Sequence, residues 1–262
     1  MKVLAVRSRA PRASEIERPS QALHGKLEVL VRERPEAVVE ALAPLLSDGR
    51  RERIESVLDQ RTREVTVVLD RLIDPHNVAA VVRTAEGLGL QEIHAIAVAP
   101  ALALSRRVTQ GCHKWLDLHV YEGVEPCVRE LGARGYVLLA ASERAGQGEP
   151  IRLPAGPVAL CVGNEHAGLS AELRAACDCE IGVAMHGFTQ SLNVSVATAL
   201  LLSRLLGARG RGLADRDRQR VRARYYALSV VSALDVLEEA GLASGRRRPC
   251  PDGSTPPPEP LG

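Results

Sequence analysis

The sequence predicts an α/β domain built on a mostly parallel β-sheet. Short apolar runs rich in branched residues, such as 65–69 and 158–162, alternate with segments whose apolar residues recur at helical spacing. This alternation is typical of parallel strands covered by helices on both faces. A chain of 262 residues has room for one such domain with additional segments. We expect an α/β core flanked by helical N- and C-terminal extensions.

The segments before the core differ in character. Residues 1–47 form an N-terminal extension of open role, in which 36–46 is compatible with a short helix. Residues 48–64 are predicted to carry a basic helix over 50–61, because apolar side chains fall on one side and arginines on the other.

The α/β core is expected over residues 65–207. Asp74 followed by Pro75 is typical of a helix start, and Gly89 of a helix end. We predict strands over 65–69, 93–98, 115–121, 136–141, 158–162 and 181–185, and helices over 75–88, 124–131, 170–176 and 194–206.

The last core helix is apolar on almost every side, which predicts a buried helix. It follows the polar segment 189–193, in which Ser191 or Asn193 can cap the helix. Ordinary capping would be enough to explain this segment if it stood alone. The helix is too short to span a membrane.

The C-terminal part is basic and then rich in proline. Residues 208–243 are predicted to be a basic helical region, with one long helix or two over 215–240. Residues 244–262 contain too much proline and glycine and too few apolar residues to order themselves, so we predict a disordered tail.

Charge and composition narrow the function classes. The net charge is only +2, but eight arginines against two aspartates lie between Arg204 and Arg224. A solvated helical face is the simpler interpretation, whereas clusters of arginine rather than lysine favour phosphate contact. Aromatic residues make up 2% of the chain, which argues against nucleic-acid binding by base stacking.

The remaining composition predicts a cytoplasmic protein without a metal and without membrane association. The six cysteines are scattered and lack the spacing of a zinc site, so we expect reduced and mostly buried thiols. No secretory signal or spanning segment is visible.

Polar residues at predicted strand ends are the candidates for chemistry. Motifs of dinucleotide-binding folds, P-loop proteins, serine hydrolases and zinc proteases are absent from the sequence. Open α/β sheets bind ligands beyond the carboxyl ends of their strands. Three polar segments are placed for that: 77–84 with Asn77 and Arg83, 162–168 with Glu165 between two glycines, and 189–193.

In this order and spacing the three segments resemble the motifs of the SpoU (TrmH-type) branch of the SPOUT RNA methyltransferases. They read DPHNVAAVVRTA at 74–85, VGNE at 162–165 followed by Gly168, and QSLNVSVA at 190–197. The stretch GCHKW at 111–115 resembles the tRNA guanosine-2′-O-methyltransferases of this branch.

The resemblance, which covers roughly residues 50–230, implies a fold, a cofactor and a reaction. The fold would be of the SPOUT type with a C-terminal trefoil knot, assembled as a homodimer, with S-adenosyl-L-methionine bound in the knot. The reaction would be methylation of a ribose 2′-hydroxyl in tRNA, with the D-loop guanosine at position 18 as the expected target.

The resemblance also assigns roles to residues. Arg83 would be catalytic, with Asn77, Glu165, Ser191 and Asn193 completing the site. Arg83 could act as a base, or orient the ribose phosphate and stabilise the developing alkoxide, which is the less demanding role for a guanidinium. The cofactor would be held by the backbone around Ala141, Gly163, Val183 and Leu192, and RNA by Arg50, Arg51, Arg53, His113, Lys114, Arg222 and Arg224.

The chain departs from the family pattern at Ala184, where the family usually has proline.

Two alternative functions stay open. The same chemistry could act on ribosomal RNA or another tRNA position, or the chain could be a non-catalytic RNA-binding SPOUT protein.

Overall fold

The computed structural model describes residue 23 and residues 25–96, 111–145 and 154–242. The strands are β1 (Val65–Asp70), β2 (Glu92–Ile96), β3 (Asp117–Tyr121), β4 (Val137–Ala141), β5 (Val158–Val162) and β6 (Cys179–Ile181). The helices are α1 (Lys26–Glu33), α2 (Pro35–Leu42), α3 (Asp48–Leu58), α4 (Pro75–Gly87), α5 (Val124–Ala133), α6 (Ala171–Ala176), α7 (Val194–Gly207), α8 (Asp215–Ser229) and α9 (Ala233–Glu239). Single 3₁₀ turns cover Ala43–Leu45 and Cys112–Trp115.

The six strands form one parallel sheet in the order β3-β2-β1-β5-β4-β6. The central strands β1 and β5 are buried along their whole length. The sheet confirms the predicted α/β class.

The order of the strands reverses between β1 and β5. The chain passes from β1 to β2 and β3, then returns to build the other half of the sheet, so β1 and β5 lie on either side of the reversal. Such a switch point is where open α/β sheets hold ligands.

Helices cover both faces of the sheet. Leucines of α7, including Leu201, Leu202 and Leu205, pack with Val78 and Val82 of α4 on one face. On the other face, α5 and α6 pack against the alternate side chains of β1, β4 and β5. Two-faced burial explains why the central strands are continuously apolar rather than alternating.

The start of α4 follows the predicted capping pattern. The Asp74 carboxylate accepts a hydrogen bond from the His76 backbone N–H at 2.8 Å, and Pro75 occupies the first turn. Gly89, with a φ of 89°, ends the helix region. This cap fixes the position of the next helical residues, including Asn77.

Two sequence predictions at the last core elements are wrong. The strand predicted over 181–185 is Cys179–Ile181, because its partner β4 ends at Ala141 and offers no ladder beyond Ile181. Helix α7 is not buried on all sides, since Val196 and Leu200 are 47% and 49% exposed. Only the face of α7 toward α4 and the sheet is covered.

The helical extensions form a second hydrophobic core. Val38 and Leu42 of α2 and Leu58 of α3 pack with Val221 of α8 and Leu237 of α9. Residues 26–46, whose role the sequence left open, therefore fold onto the C-terminal helices. The helical pattern over 215–240 is two helices, because the chain turns at Ser232, with a φ of 56°. The predicted tail, residues 244–262, lies outside the described residues.

A carboxylate clamp ties α3 to α8. The Arg222 guanidinium donates to both Glu55 carboxylate oxygens at 2.6 Å, and Arg218 donates to Oε2 at 3.0 Å. The hydrogen bond from Arg222 lowers the pKa of Glu55 below its ordinary value of 4.5, although burial opposes this. The clamp connects the extension that precedes the core with the one that follows it.

Replacing Glu55 with glutamine is expected to lower the free energy of unfolding at pH 7 by about 1 kcal/mol, as for a surface ion-pair network. A lowered folded-state pKa stabilises the protein above pH 4.5, and this contribution is lost as the pH falls through the folded-state value. The difference between E55Q and the parent should therefore shrink from pH 6 to pH 3 in chemical denaturation. Glu52→Gln, at an exposed position of the same helix, is the control. It should change neither the free energy of unfolding at pH 7 nor the dependence of that free energy on pH.

Among the helices in the described ranges, none is long and apolar enough to cross a membrane. The five cysteines there are free thiols, of which Cys127 and Cys161 are buried and the other three half-buried. The sixth, Cys250, lies outside the described residues, as does the N-terminal segment 1–22.

Candidate active site

A cleft of about 1170 Å³ opens at the carboxyl ends of β1, β4 and β5. Its walls come from the loops that follow these strands and from the segment between β6 and α7. All three polar segments predicted to carry the chemistry contribute to it, through residues in 73–77, 162–169 and 190–194. The cleft lies at the switch point of the sheet.

The loop after β5 is folded tightly on itself. Asn164 and Gly168 exchange two backbone hydrogen bonds, at 3.0 and 2.9 Å. The Asn164 side chain accepts from the His166 and Ala167 backbone N–H groups and donates to the Arg71 carbonyl at 2.9 Å. Because these bonds join the loops after β1 and β5, the wall of the cleft is held from both sides.

Gly163 is required by the approach of the protein's own backbone. A Cβ atom at this position would lie 2.1 Å from the Gly168 carbonyl carbon and 2.2 Å from the Leu169 nitrogen. Glycine at this position therefore lets the loop close on itself.

The Glu165 carboxylate collects donors from the first motif. It accepts from the Asn77 side-chain amide at 2.9 Å and from the Ile73 and Asp74 backbone N–H groups at 3.3 and 3.4 Å. Burial favours the neutral acid, but these hydrogen bonds outweigh it and lower the pKa of Glu165. Glu165 is thus a fixed anion that holds the loop after β1.

Asn193 brings in the third motif. Its Oδ1 atom caps α7 by accepting from the Ser195 backbone N–H at 2.9 Å, while its Nδ2 donates to Asn77 Oδ1 at 3.0 Å. Of the two predicted caps, the structure selects Asn193. The chain of contacts Glu165–Asn77–Asn193 therefore links all three motifs, and we call it the amide network.

The predicted cofactor residues Ala141, Gly163, Val183 and Leu192 all line the cleft, and so does Ser191. Ala184 is exposed between two lining residues, Val183 and Met185. Three further residues line the cleft just after β4 and were not predicted from the sequence: Ser142, Glu143 and Arg144. These residues could have been found in the same way as the other segments, because they too are polar residues that directly follow a predicted strand.

Arg83 lies apart from this group. It is exposed on α4, six residues after Asn77, which corresponds to about 9 Å along a helix axis. In the part of the chain that the structure describes, Arg83 does not line the cleft. The structure therefore gathers Asn77, Glu165, Ser191 and Asn193, and leaves Arg83 exposed outside the cleft.

The predicted RNA-binding residues fall into two groups. Arg222 is bound to Glu55, and Arg224 pairs with Asp117 and donates to the Lys114 and Leu116 carbonyls, so both stabilise the fold. Their assignment to RNA stays untested, and the structure gives them another role. The others lie nearer to solvent: Arg50 and Arg53 are exposed, Arg51 pairs with Asp48, and Lys114 and His113 are half-buried.

Arg50 and Lys114 share one aromatic platform. Their cationic groups lie 5.4 and 4.7 Å from the centre of the Trp115 ring. Arg50 also donates to the Ser229 hydroxyl at 3.0 Å. Cation–π contacts hold the side chains in place while leaving the charges able to meet a phosphate.

Comparison with known proteins adds an independent observation. A model of the SpoU rRNA methylase family matches residues 64–203, which include every residue that lines the cleft. The chain belongs to the SpoU rRNA methylase family. The matched range contains the six strands and helices α4 to α6, and ends inside α7.

Relatives within this family extend the comparison. The chain is 32% identical over 191 residues to the tRNA (guanosine(18)-2′-O)-methyltransferase of Borreliella burgdorferi, covering 71% of the chain and 88% of the relative. It is 35% identical over 174 residues to the enzyme of the same name from Thermus thermophilus, covering 66% and 90%. The crystal structure of the A. aeolicus TrmH/SpoU tRNA modifying enzyme superposes with a TM-score of 0.59 at 26% identity, covering 71% and 98%.

Exchange of Asn77 for aspartate is expected to disrupt the amide network more than exchange for alanine. Alanine removes one donor to Glu165, at a cost of about 1 kcal/mol, whereas aspartate also places a second carboxylate beside the first. Thermal unfolding at pH 7 should rank the parent above N77A and N77A above N77D. The difference in unfolding temperature between N77A and N77D should become smaller toward pH 4, because one of the two neighbouring carboxyl groups in N77D takes up a proton. An N77D variant as stable as N77A at pH 7 would contradict the network.

Proposed function

We propose that this member of the SpoU family transfers a methyl group from S-adenosyl-L-methionine to the 2′-hydroxyl of a guanosine in tRNA, with position 18 of the D-loop as the target. The observation that carries the proposal is the amide network, which joins the three family motifs at one cleft. The names of the relatives from Borreliella burgdorferi and Thermus thermophilus support the base, the position and the RNA class.

The cleft fits S-adenosyl-L-methionine. It is large enough for a cofactor of this size, and its wall combines apolar side chains with exposed backbone around Gly163, Val183 and Leu192. Ala141 and Leu201 add apolar surface for an adenine, and Glu165 is a fixed anion in the lining. When bound, the cofactor supplies an electrophilic sulfonium methyl group.

The residues of the chain have separate tasks in this proposal. Asn77, Glu165 and Asn193 keep the three loops in register, which aligns acceptor and donor. Ser191, which is exposed and lines the cleft, contacts the acceptor nucleotide in this proposal. Arg83 orients the ribose phosphate and stabilises the alkoxide as it forms, since a guanidinium is a strong donor and a poor base.

The segment 182–193 is the part we propose to be threaded as the trefoil knot. It lacks regular structure, connects β6 to α7 and lines the cleft together with the loops after β4 and β5. If the segment is threaded through a loop of the chain, the knot would hold it in place even though, among the described residues, it forms no hydrogen bonds with a neighbouring strand.

We also propose a homodimer formed through α7. Val196 and Leu200 leave an apolar strip exposed on a helix whose other face is packed, and a second copy is the partner that the family resemblance implies. An acceptor bound between two protomers would explain why Arg83 lies outside its own cleft. Sedimentation should show a dimer for the parent and a monomer for Leu200→Glu, while Val29→Glu, at an exposed apolar position of α1, should stay dimeric.

The tRNA surface is proposed on the helical extensions. Arg53 and Arg216 are exposed there. Arg53 lies one helical turn after Arg50, which contacts the Trp115 ring together with Lys114. The division into an N-terminal extension, a basic helix, the methyltransferase domain and a basic C-terminal region stays part of the proposal, and so does the cytoplasmic location that a tRNA substrate implies.

Acceptor specificity can be tested directly. Purified protein should bind S-adenosyl-L-methionine in a calorimeter and methylate unmodified tRNA transcripts in preference to ribosomal RNA. The name of the family includes rRNA, so preference for ribosomal RNA would keep the chemistry and replace the substrate. Failure to bind the cofactor would favour a non-catalytic RNA-binding protein.

A further inference from the structure

A polar cluster outside the cleft lies between the edge of the sheet and α5. Glu92 and His94 point to the same side of β2, and His94 is directly opposite His119 of β3 in the parallel ladder. One ligand atom from each of these three residues lies within 4.8 Å of the other two. None of the three lines the cleft within the described part of the chain.

The cluster contains imidazole nitrogens without partners. His94 is fully buried and its Nε2 atom has no hydrogen-bond partner among the described residues. His119 Nε2 is also buried without a hydrogen bond in these ranges, although it lies 3.3 Å from Glu92 Oε2. Buried polar atoms are nearly always paired in folded proteins, so two orphaned nitrogens in one cluster require an explanation.

We propose that Glu92, His94 and His119 bind a divalent transition-metal ion of the zinc class. Two imidazoles and one carboxylate are a ligand set that suits such ions, and a water molecule can complete four-coordination. The ion would satisfy both orphaned nitrogens at once. It would join β2 to β3 at the edge of the sheet and would have a structural role.

The second nitrogen of His94 supports this assignment. His94 Nδ1 lies 2.9 Å from the Tyr121 hydroxyl, whereas His119 Nδ1, at 3.9 Å from a Glu130 carboxylate oxygen, is beyond hydrogen-bond distance. Histidines that bind metals usually place their other nitrogen against a carboxylate or another polar group, which fixes the ring orientation.

The charges around the cluster leave room for a cation. Glu92 Oε1 accepts from Arg134 and Tyr136. Among the described residues, Oε2 accepts from Arg63 at 2.8 Å and lies 3.3 Å from His119 Nε2. A carboxylate oxygen has two acceptor positions, so Oε2 keeps one. The arginines reduce the affinity for a cation, but the ion pairs around the cluster contain four carboxylates and three guanidinium groups. The carboxylates are those of Glu92, Asp117, Glu130 and Asp217, and the guanidinium groups are those of Arg63, Arg134 and Arg224.

The site departs from the sequence-based expectation of a protein without metal. That expectation rested on the spacing of cysteines and histidines along the chain. Here the histidines lie on neighbouring strands, 25 positions apart, and only the register of the ladder brings them together. The proposal is independent of the methyltransferase activity.

The test is titration of the full-length, chelator-treated protein with Zn²⁺ by calorimetry and with Co²⁺ by absorption spectroscopy. One equivalent should bind, with a Co²⁺ spectrum of nitrogen and oxygen ligands. His119→Gln should weaken binding by about 100-fold or more, and Tyr121→Phe by about 10- to 100-fold, the usual effect of losing an outer partner. His186→Gln, an exposed histidine elsewhere in the chain, should leave affinity unchanged.

Several results would overturn the proposal. They are the absence of stoichiometric binding, a Co²⁺ spectrum with thiolate ligands, or equal affinity in the parent and H119Q. Circular dichroism of each variant establishes that it is folded. Should H119Q fail to fold, Tyr121→Phe decides, because it removes only a hydroxyl group, and unchanged affinity in this variant would also count against the site.

Discussion

Alanine at position 163 is expected to unfold the wall of the cleft. The new Cβ atom would lie 2.1 Å from a backbone carbon of Gly168 and 2.2 Å from the backbone nitrogen of Leu169. Backbone atoms cannot rotate away as a flexible side chain can, so the loop must shift. Overpacking of this kind costs about 3 kcal/mol, and the shift moves Glu165 away from Asn77. We therefore expect Gly163→Ala to lose both stability and cofactor binding.

Gly132→Ala is the matched control for this substitution. Gly132 is a helical residue of α5, and a Cβ atom there would meet nothing within 4 Å. Replacing a helical glycine by alanine stabilises a protein by about 0.5–1 kcal/mol. Thermal unfolding should thus move in opposite directions for the two variants. A Gly163→Ala protein with parental stability and cofactor affinity would show that the loop is not closed as described.

Removal of Arg83 is expected to abolish most methyl transfer without affecting the fold. The side chain is exposed and lies outside the cleft, so alanine should leave thermal unfolding and cofactor affinity unchanged. Loss of a group that stabilises developing negative charge typically lowers the rate by roughly 100- to 1,000-fold. The single-turnover rate with tRNA should fall by at least that factor.

Arg129→Ala controls for the loss of one exposed arginine. Arg129 lies on α5 and pairs only with Glu125 of the same helix among the described residues. Arg129→Ala should leave the single-turnover rate within about twofold of the parent rate, because surface substitutions of this kind usually have small effects on the folded protein. Substantial activity in Arg83→Ala would remove Arg83 from the mechanism, whatever the outcome for Arg129.

The fold class and the location of the site were predictable because they depend on local patterns. Branched apolar runs marked β1 and β5, and the Asp74–Pro75 cap marked the start of α4. Polar residues after strands marked the loops that meet at the cleft. In a parallel sheet the carboxyl ends of all strands share one edge, so sequence order alone brings such residues together.

The parts that could not be predicted depend on partners distant in sequence. Arg222 pairs with Glu55 across 167 positions, and Arg224 with Asp117 across 107, so the arginine cluster does not show which members are free. The strand over 181–185 looked regular because nothing local shows where β4 ends. The exposed side of α7 was invisible for the same reason, since an apolar helix does not reveal which neighbours cover it.

The most direct test of the proposed function is methyl transfer from labelled S-adenosyl-L-methionine to unmodified tRNA transcripts, with the labelled nucleotide mapped. We expect label on the ribose 2′-oxygen of one D-loop guanosine, and none when that guanosine carries a 2′-deoxy sugar. Label on a base, on another position, or on the 2′-deoxy transcript would contradict it.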